Sequence, residues 1–238
     1  MTEKSPNDPL APLIQMTNVV RQIETAKQTR RLLDDVSWVL SPGARVAILA
    51  VNKAESYAFV ACACGVQAIQ SGRVDIKAHV SWPLGEAGAI SGRLTPRQNA
   101  DFLQKIYGPR KNSREQIDAI KEMSDLPVGF FDRPLRDLNS TMKSRYKLAI
   151  SLVFDFDVYV VPKLDAWPYK STTSRTQRFR EAFERLILKK SLLVSNPDPA
   201  FQKAYCQHGI VLDDGKIVYQ DDLEPCQEWL AYRLKKRP

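Results

Sequence analysis

The stretch Arg45-Val46-Ala47-Ile48-Leu49-Ala50 constrains this chain most. It is almost continuously apolar and follows the tight-turn sequence Ser41-Pro42-Gly43. Such a run suits a strand covered on both faces, as in a parallel sheet. Ser56–Gly65, rich in Ala, Phe, Val and Cys, then suits a buried helix with Gly65 at its C-cap. Strand, loop and helix in that order are the unit from which parallel α/β sheets are built.

The remaining patterns extend this reading. Strands are expected over Leu13–Arg21, over Arg30–Leu40, after the turn Ser71–Val74, over Asp157–Val161 and over Ser191–Ser195. Gly209–Leu212 and Lys216–Tyr219 flank Asp213-Asp214-Gly215, a hairpin signal. Helical patterns cover Pro96–Tyr107, Arg114–Met123, Thr141–Phe154, Gln177–Leu188 and Leu223–Lys236. Ser81–Ser91 reads as a loop and Asp132–Asp137 as a polar connection. The order predicts an α/β fold with a mainly parallel core sheet, an antiparallel β entry and a helical insertion at about 96–154. Residues 1–12 are expected to be a flexible tail and 13–238 a single domain.

Composition narrows the function. With 44% hydrophobic residues the chain can build a core. Its apolar stretches, such as Val46–Val51 and Val158–Val161, fall far short of the roughly 20 residues of a membrane span. Met1–Pro9 carries Glu3, Lys4 and Asp8 and lacks the apolar core of a signal peptide, so a cytoplasmic location is expected. Cys62, Cys64, Cys206 and Cys226 lack zinc-site spacing and are expected to be reduced, mostly buried thiols. With His79 and His208 the only histidines, there is little for histidine catalysis and no metal is expected. The net charge of +8 could favour nucleic acid or an anionic membrane, or describe a solvated surface. No zinc-finger, RNP or basic-zipper signature is present, so nucleic acid is not an expected partner.

Specific phrases go further. Val80-Ser81-Trp82-Pro83-Leu84-Gly85, Gly92-Arg93-Leu94-Thr95-Pro96-Arg97-Gln98-Asn99, Tyr107-Gly108, Leu148-Ala149-Ile150-Ser151-Leu152 and Phe154-Asp155-Phe156-Asp157-Val158-Tyr159 occur in order. Over residues 13–220 the chain resembles the ATP-binding subunits of ABC transporters that export capsular polysaccharide and related surface glycans. The resemblance implies a P-loop NTPase-like ABC ATPase fold and a membrane permease as partner. It also implies a homo- or heterodimer with an ATP-binding subunit, ATP and Mg²⁺ as cofactors, and a place on the inner face of the cytoplasmic membrane.

The same resemblance says where each catalytic motif should lie. A phosphate loop needs glycines for close backbone approach, a Lys for the β/γ-phosphates and Ser/Thr for Mg²⁺. Here it reads Ala50-Val51-Asn52-Lys53-Ala54-Glu55-Ser56-Tyr57. Ala50, Lys53 and Glu55 stand at glycine positions, Ser56 at the lysine and Tyr57 at the Mg²⁺-binding hydroxyl. A Glu55 carboxylate about 4 Å from a phosphate would cost roughly 4 kcal/mol at an effective dielectric near 20. The Walker B Asp and Glu correspond to Pro162 and Lys163, the Q-loop glutamine to Ser91 and the switch histidine to Asn196. Asn139-Ser140-Thr141 replaces the signature's Ser-Gly-Gly, and Ile23 the adenine-stacking aromatic.

The expected function is therefore a non-hydrolysing, pseudo-ATPase subunit, structural or regulatory, in a glycan-export transporter, without productively bound ATP or Mg²⁺. Two alternatives stay open at this level. One is an ATP-binding subunit that keeps weak nucleotide binding within a heterodimer. The other is a binding module repurposed around its basic surface.

Overall fold

The computed structural model describes residues 11–24, 29–86, 90–108, 113–164 and 172–236. Along the chain run β1 (Ile14–Glu24), β2 (Thr29–Leu40), β3 (Arg45–Ala50), α1 (Lys53–Ala63), β4 (Ser71–Ile76), α2 (Pro96–Tyr107), α3 (Ser113–Ser124) and α4 (Ser140–Ser151). β5 (Val158–Val161), α5 (Ser174–Leu186), β6 (Ser191–Val194), α6 (Pro199–Tyr205), β7 (His208–Asp213), β8 (Lys216–Asp222) and α7 (Leu223–Lys235) follow. The chain divides into two compact units, Met1–Val80 with Lys189–Pro238, and Ser81–Leu188.

The first unit carries two sheets. In one, β6, β3, β7 and β8 lie in that order, β3 parallel to both β6 and β7 and β8 antiparallel to β7. Val46, Ala47, Ile48 and Leu49 are all buried, as the apolar run requires of a central strand. The entry turn is tied to the neighbouring strand: the Gly43 N–H donates to Ser191 Oγ at 2.8 Å. At the β7–β8 turn Asp214 (φ 49°) and Gly215 (φ 77°) are both left-handed, the geometry of a two-residue hairpin turn.

The other sheet has the order β2-β1-β4, antiparallel throughout, with irregular register along β1. Asn18 (φ 50°) and Asp35 (φ 59°) face one another there, Asn18 Nδ2 donating to Asp35 Oδ1 at 2.8 Å. Trp38 of β2 packs edge-on against Phe59 of α1, with ring centroids 5.1 Å apart.

In the second unit α2 begins with a reciprocal cap: Thr95 Oγ1 accepts the Gln98 N–H and Gln98 Oε1 accepts the Thr95 N–H. The fully buried Tyr146 of α4 donates its hydroxyl to the Pro96 carbonyl at 2.7 Å. Burial and the charge of Asp101 raise its pKa, so the hydroxyl stays a neutral donor.

Asp125 (φ 49°) follows α3 and gathers α4 and α5. Arg145 Nη1 reaches its carbonyl at 3.1 Å and its Oδ2 at 3.3 Å, and Arg175 Nη2 donates to the same Oδ2 at 2.7 Å. The hydrogen bond from Arg175, then the charges of Arg175 and Arg145, hold the Asp125 carboxyl below the ordinary aspartate value. A depressed pKa adds stability above the unfolded-state value that is lost as pH falls through the folded-state value. The site is exposed, so Asp125→Asn is expected to cost about 1 kcal/mol or less at neutral pH and less at pH 2 than at neutral pH. Urea titrations at both pH values measure this difference; an equal cost at both removes the ionic contribution.

Several boundaries differ from expectation, among them those of β1, α5 and β8 by up to three residues. α1 starts at Lys53, before Ser56, because Asn52 caps it: Asn52 Oδ1 accepts the Ala54 N–H at 3.0 Å. α4 stops at Ser151, before Phe154, whose carbonyl instead accepts the Tyr159 hydroxyl at 2.9 Å. The connection Asp132–Asp137 is ordered by 3-10 turns at Phe130–Asp132 and Leu135–Asp137. The seven-residue α6 was not anticipated, although Asp198-Pro199 is a helix start: Asp198 Oδ1 accepts the Ala200 N–H at 2.9 Å.

Candidate functional site

Between β3 and α1, Val51 and Asn52 are the only residues left as loop. The helix takes in Lys53, Ala54 and Glu55, where the resemblance places the phosphate loop. The Val51 N–H donates to the Leu212 carbonyl at 3.0 Å, the Ala54 N–H to Asn52 Oδ1 at 3.0 Å and the Glu55 N–H to the Asn52 carbonyl at 3.0 Å. A phosphate-binding loop needs these amides turned toward the ligand. Here they close on the chain itself. Ser56 donates its hydroxyl to the Ile48 carbonyl at 3.1 Å, back along β3. Tyr57 stands out from the surface, 58% exposed.

Glu55 behaves differently from the carboxylate anticipated in a phosphate pocket. It is 3% exposed and turned into its own unit. Burial raises its pKa; the Gly215 N–H, which it accepts, and the guanidinium of Arg30 oppose that rise, while Asp213 and Asp214 add to it. Arg30 Nη2 lies 3.8 Å from Oε1, and Oε2 has no hydrogen-bond partner among the described residues. Where the resemblance implied repulsion from a phosphate, Glu55 makes an internal contact, because a helix that starts at Lys53 turns residue 55 into the unit.

Asn196, also in the first unit, is buried and used structurally. Its Oδ1 accepts the Asp198 N–H at 3.0 Å and its carbonyl accepts Gln202 Nε2 at 2.7 Å, fixing the start of α6. Ile23 lies in β1, paired in register with Arg30.

The second unit holds the other motif positions. Pro162 ends β5, and an exposed Lys163 follows. Lys163 lines a cavity of about 150 Å³ together with Leu84, Glu86, Ser144, Leu148 and Leu164. That is well under the ~300 Å³ at which small-molecule pockets usually begin. Ser91 is held through its backbone: its N–H donates to Asn99 Oδ1 at 2.8 Å and its carbonyl accepts Asn99 Nδ2 at 3.0 Å. Asn139 caps α4, accepting the Met142 N–H at 2.9 Å, with Ser140 and Thr141 exposed in the first turn.

Two organisers were missed in the sequence. Asn99, 1% exposed, holds the Ser91–Thr95 loop through four side-chain bonds, and Gln202 locks Asn196. A polar residue inside an amphipathic helix was the available signal. The phrases Ser81–Gly85 and Phe154–Tyr159 also prove to be one packed assembly. The Ser81 N–H donates to the Val158 carbonyl at 2.9 Å, the Val160 N–H to Ser81 Oγ at 2.9 Å, and the Trp82 ring lies 5.5 Å from that of Phe156.

The thiols offer no nucleophile. Cys62, Cys206 and Cys226 are buried, and burial pushes Cys64 and Cys206 up to about 12. Among the described residues no group of three or more His, Cys, Asp or Glu is placed to hold a metal ion, and no helix is long and apolar enough to cross a membrane.

Comparison with known proteins follows the same lines. No family model matches the chain. It is 25% identical over 227 residues to the polysialic acid transport ATP-binding protein KpsT of Escherichia coli, covering 93% of this chain and 98% of that protein. It is 28% identical over 221 residues to the capsule polysaccharide export ATP-binding protein CtrD of Neisseria meningitidis serogroup B, covering 91% and 98%. Among solved structures it matches a dimeric ATP-binding cassette bound to ADP and Pi with a TM-score of 0.71 at 13% identity, over 88% of this chain and 98% of that one. The fold is that of an ATP-binding cassette, and the homologues are ATP-binding proteins of polysaccharide export.

Proposed function

We propose that this homologue of the capsule-export ATP-binding proteins is a non-hydrolysing subunit of an ABC transporter for capsular or related polysaccharide. In this reading it docks on the membrane permease at the inner face of the cytoplasmic membrane. It pairs with a second copy or with an active ATP-binding subunit, and contributes structure or regulation in place of ATP turnover. Neither ATP nor Mg²⁺ is a working cofactor of this chain.

The observation that carries the reading is the closure of the Val51–Ser56 segment. Asn52 caps α1 at Lys53, so the amides of Ala54 and Glu55 are satisfied within the segment. Binding a phosphate there would require unwinding the first turn of α1. It would also lack the lysine that charge-assists the contact, whose position Ser56 holds. Pro162 and Lys163 replace the carboxylates that hold Mg²⁺ and orient water. Neither can supply those functions, and Lys163 brings the opposite charge to the place of a general base.

Calorimetric titration of the purified chain with MgATP tests this directly. No binding heat is expected up to millimolar nucleotide, and micromolar affinity overturns the proposal. Co-purification with the permease, alone and with the active ATP-binding subunit, is expected to recover the chain in both cases.

A further inference from the structure

We propose that Glu55 is a latch that holds the Val51–Ser56 segment closed by seating the start of α1 on the β7–β8 turn. The inference rests on the proposed function only for the identity of that segment as the former phosphate loop.

Three elements meet at this one carboxylate. Glu55 belongs to the first turn of α1, with Asn52 as the cap. Its side chain accepts the N–H of Gly215 at the tip of the β7–β8 hairpin, and Arg30 of β2 lies 3.8 Å away. The same tip is bound to β2 from its other side, where the Asp34 N–H donates to the Gly215 carbonyl at 2.8 Å and Lys216 Nζ lies 3.8 Å from Asp34. Gly215 suits this place because its φ of 77° lies in the left-handed region that side chains disfavour. Asp213 beside it is drawn off by Arg233 of α7 at 2.8 Å, which lessens the repulsion between the two buried carboxylates.

The contact is costly in isolation. A carboxylate 3% exposed with one oxygen unpartnered is not what packing alone selects, and an apolar side chain would fill the space without that penalty. What the carboxylate adds is direction. It couples the first turn of α1 to a turn contributed by the distant end of the chain, so opening the loop requires breaking the hairpin contact too. The latch makes the closed conformation a property of the fold that persists whatever nucleotide is present.

Amide hydrogen exchange on the intact chain tests the latch, with Glu55→Gln, Glu55→Asp and Glu55→Ala compared with the natural protein. Gln keeps an oxygen acceptor at the same reach and is expected to retain protection at Ala54, Glu55's own position and Gly215. Asp keeps the charge but is one methylene shorter, and Ala removes the acceptor. Both are expected to speed exchange at Ala54, residue 55 and Gly215 together, by roughly tenfold or more, while β3 and β6 amides stay protected. Unchanged exchange in Glu55→Asp, or faster exchange at Gly215 alone, overturns the latch. Should Glu55→Ala fail to fold, the Asp and Gln pair decides. The outcome is separable from the proposed function: micromolar MgATP binding by the natural chain overturns that reading while leaving the exchange pattern to be judged by itself.

Discussion

Tyr159→Ala is expected to lower the stability of the protein by about 3–5 kcal/mol, the usual cost of truncating a fully buried aromatic. Tyr159 is 0% exposed on β5, its ring 5.7 Å from that of Phe156. Its hydroxyl does a second job, accepting the Phe156 N–H at 3.0 Å while donating to the Phe154 carbonyl at 2.9 Å. Those bonds satisfy backbone groups of the buried Phe154 and Phe156 where α4 gives way to β5. Tyr159→Phe keeps the ring and removes the hydroxyl, leaving two buried backbone groups unmet. It should cost about 1–3 kcal/mol. Urea unfolding of both variants separates ring from hydroxyl. If the Phe variant equals the natural protein, the hydroxyl bonds contribute nothing and the account of the α4–β5 junction fails.

Gly72→Val carries the second large effect, about 2–5 kcal/mol, from backbone strain and overpacking combined. Gly72 opens β4 with a φ of 88°, and a Cβ there would lie 2.3 Å from the Asn18 carbonyl oxygen and 2.6 Å from that of Thr17. Both atoms are backbone and belong to the irregular part of β1, so no rotamer change relieves the clash. A β-branched residue is the worst choice at positive φ. The damage should centre on the β2-β1-β4 sheet, read as faster exchange at Thr17, Asn18 and Arg73. A Gly72→Val protein with natural stability would show that the β1 irregularity can relax.

Most of the architecture was legible because its signals are local. The apolar run at Arg45–Ala50 announced β3, Asp214-Gly215 announced the hairpin turn, and Pro96 after Thr95 announced α2 to the residue. Where the reading slipped, a single side chain decided the boundary: Asn52 at the start of α1, Ser151 and Tyr159 at the end of α4, Asp198 at α6. Caps depend on one hydrogen bond apiece, and hydrophobic periodicity does not register them. The side chains at the positions where the resemblance places the motifs need no coordinates to read: Ser56 is not a lysine, and Pro162 and Lys163 are not carboxylates.

What these residues contact in the fold was not legible. Glu55 in sequence is a carboxylate where the resemblance places a phosphate, and repulsion was the role that this implied. Its partners, Gly215 and Arg30, come from opposite ends of the chain and meet it only because β7 lies parallel to β3 in the folded sheet. The amino-acid order by itself determined which elements form and which side chains stand where the resemblance places the motifs, because propensity, turn chemistry and side-chain identity act over a few residues. Only the tertiary structure decided that Lys53–Ser56 is wound into the start of α1 with Glu55 buried near Arg30, because that outcome depends on long-range pairing that no local pattern encodes.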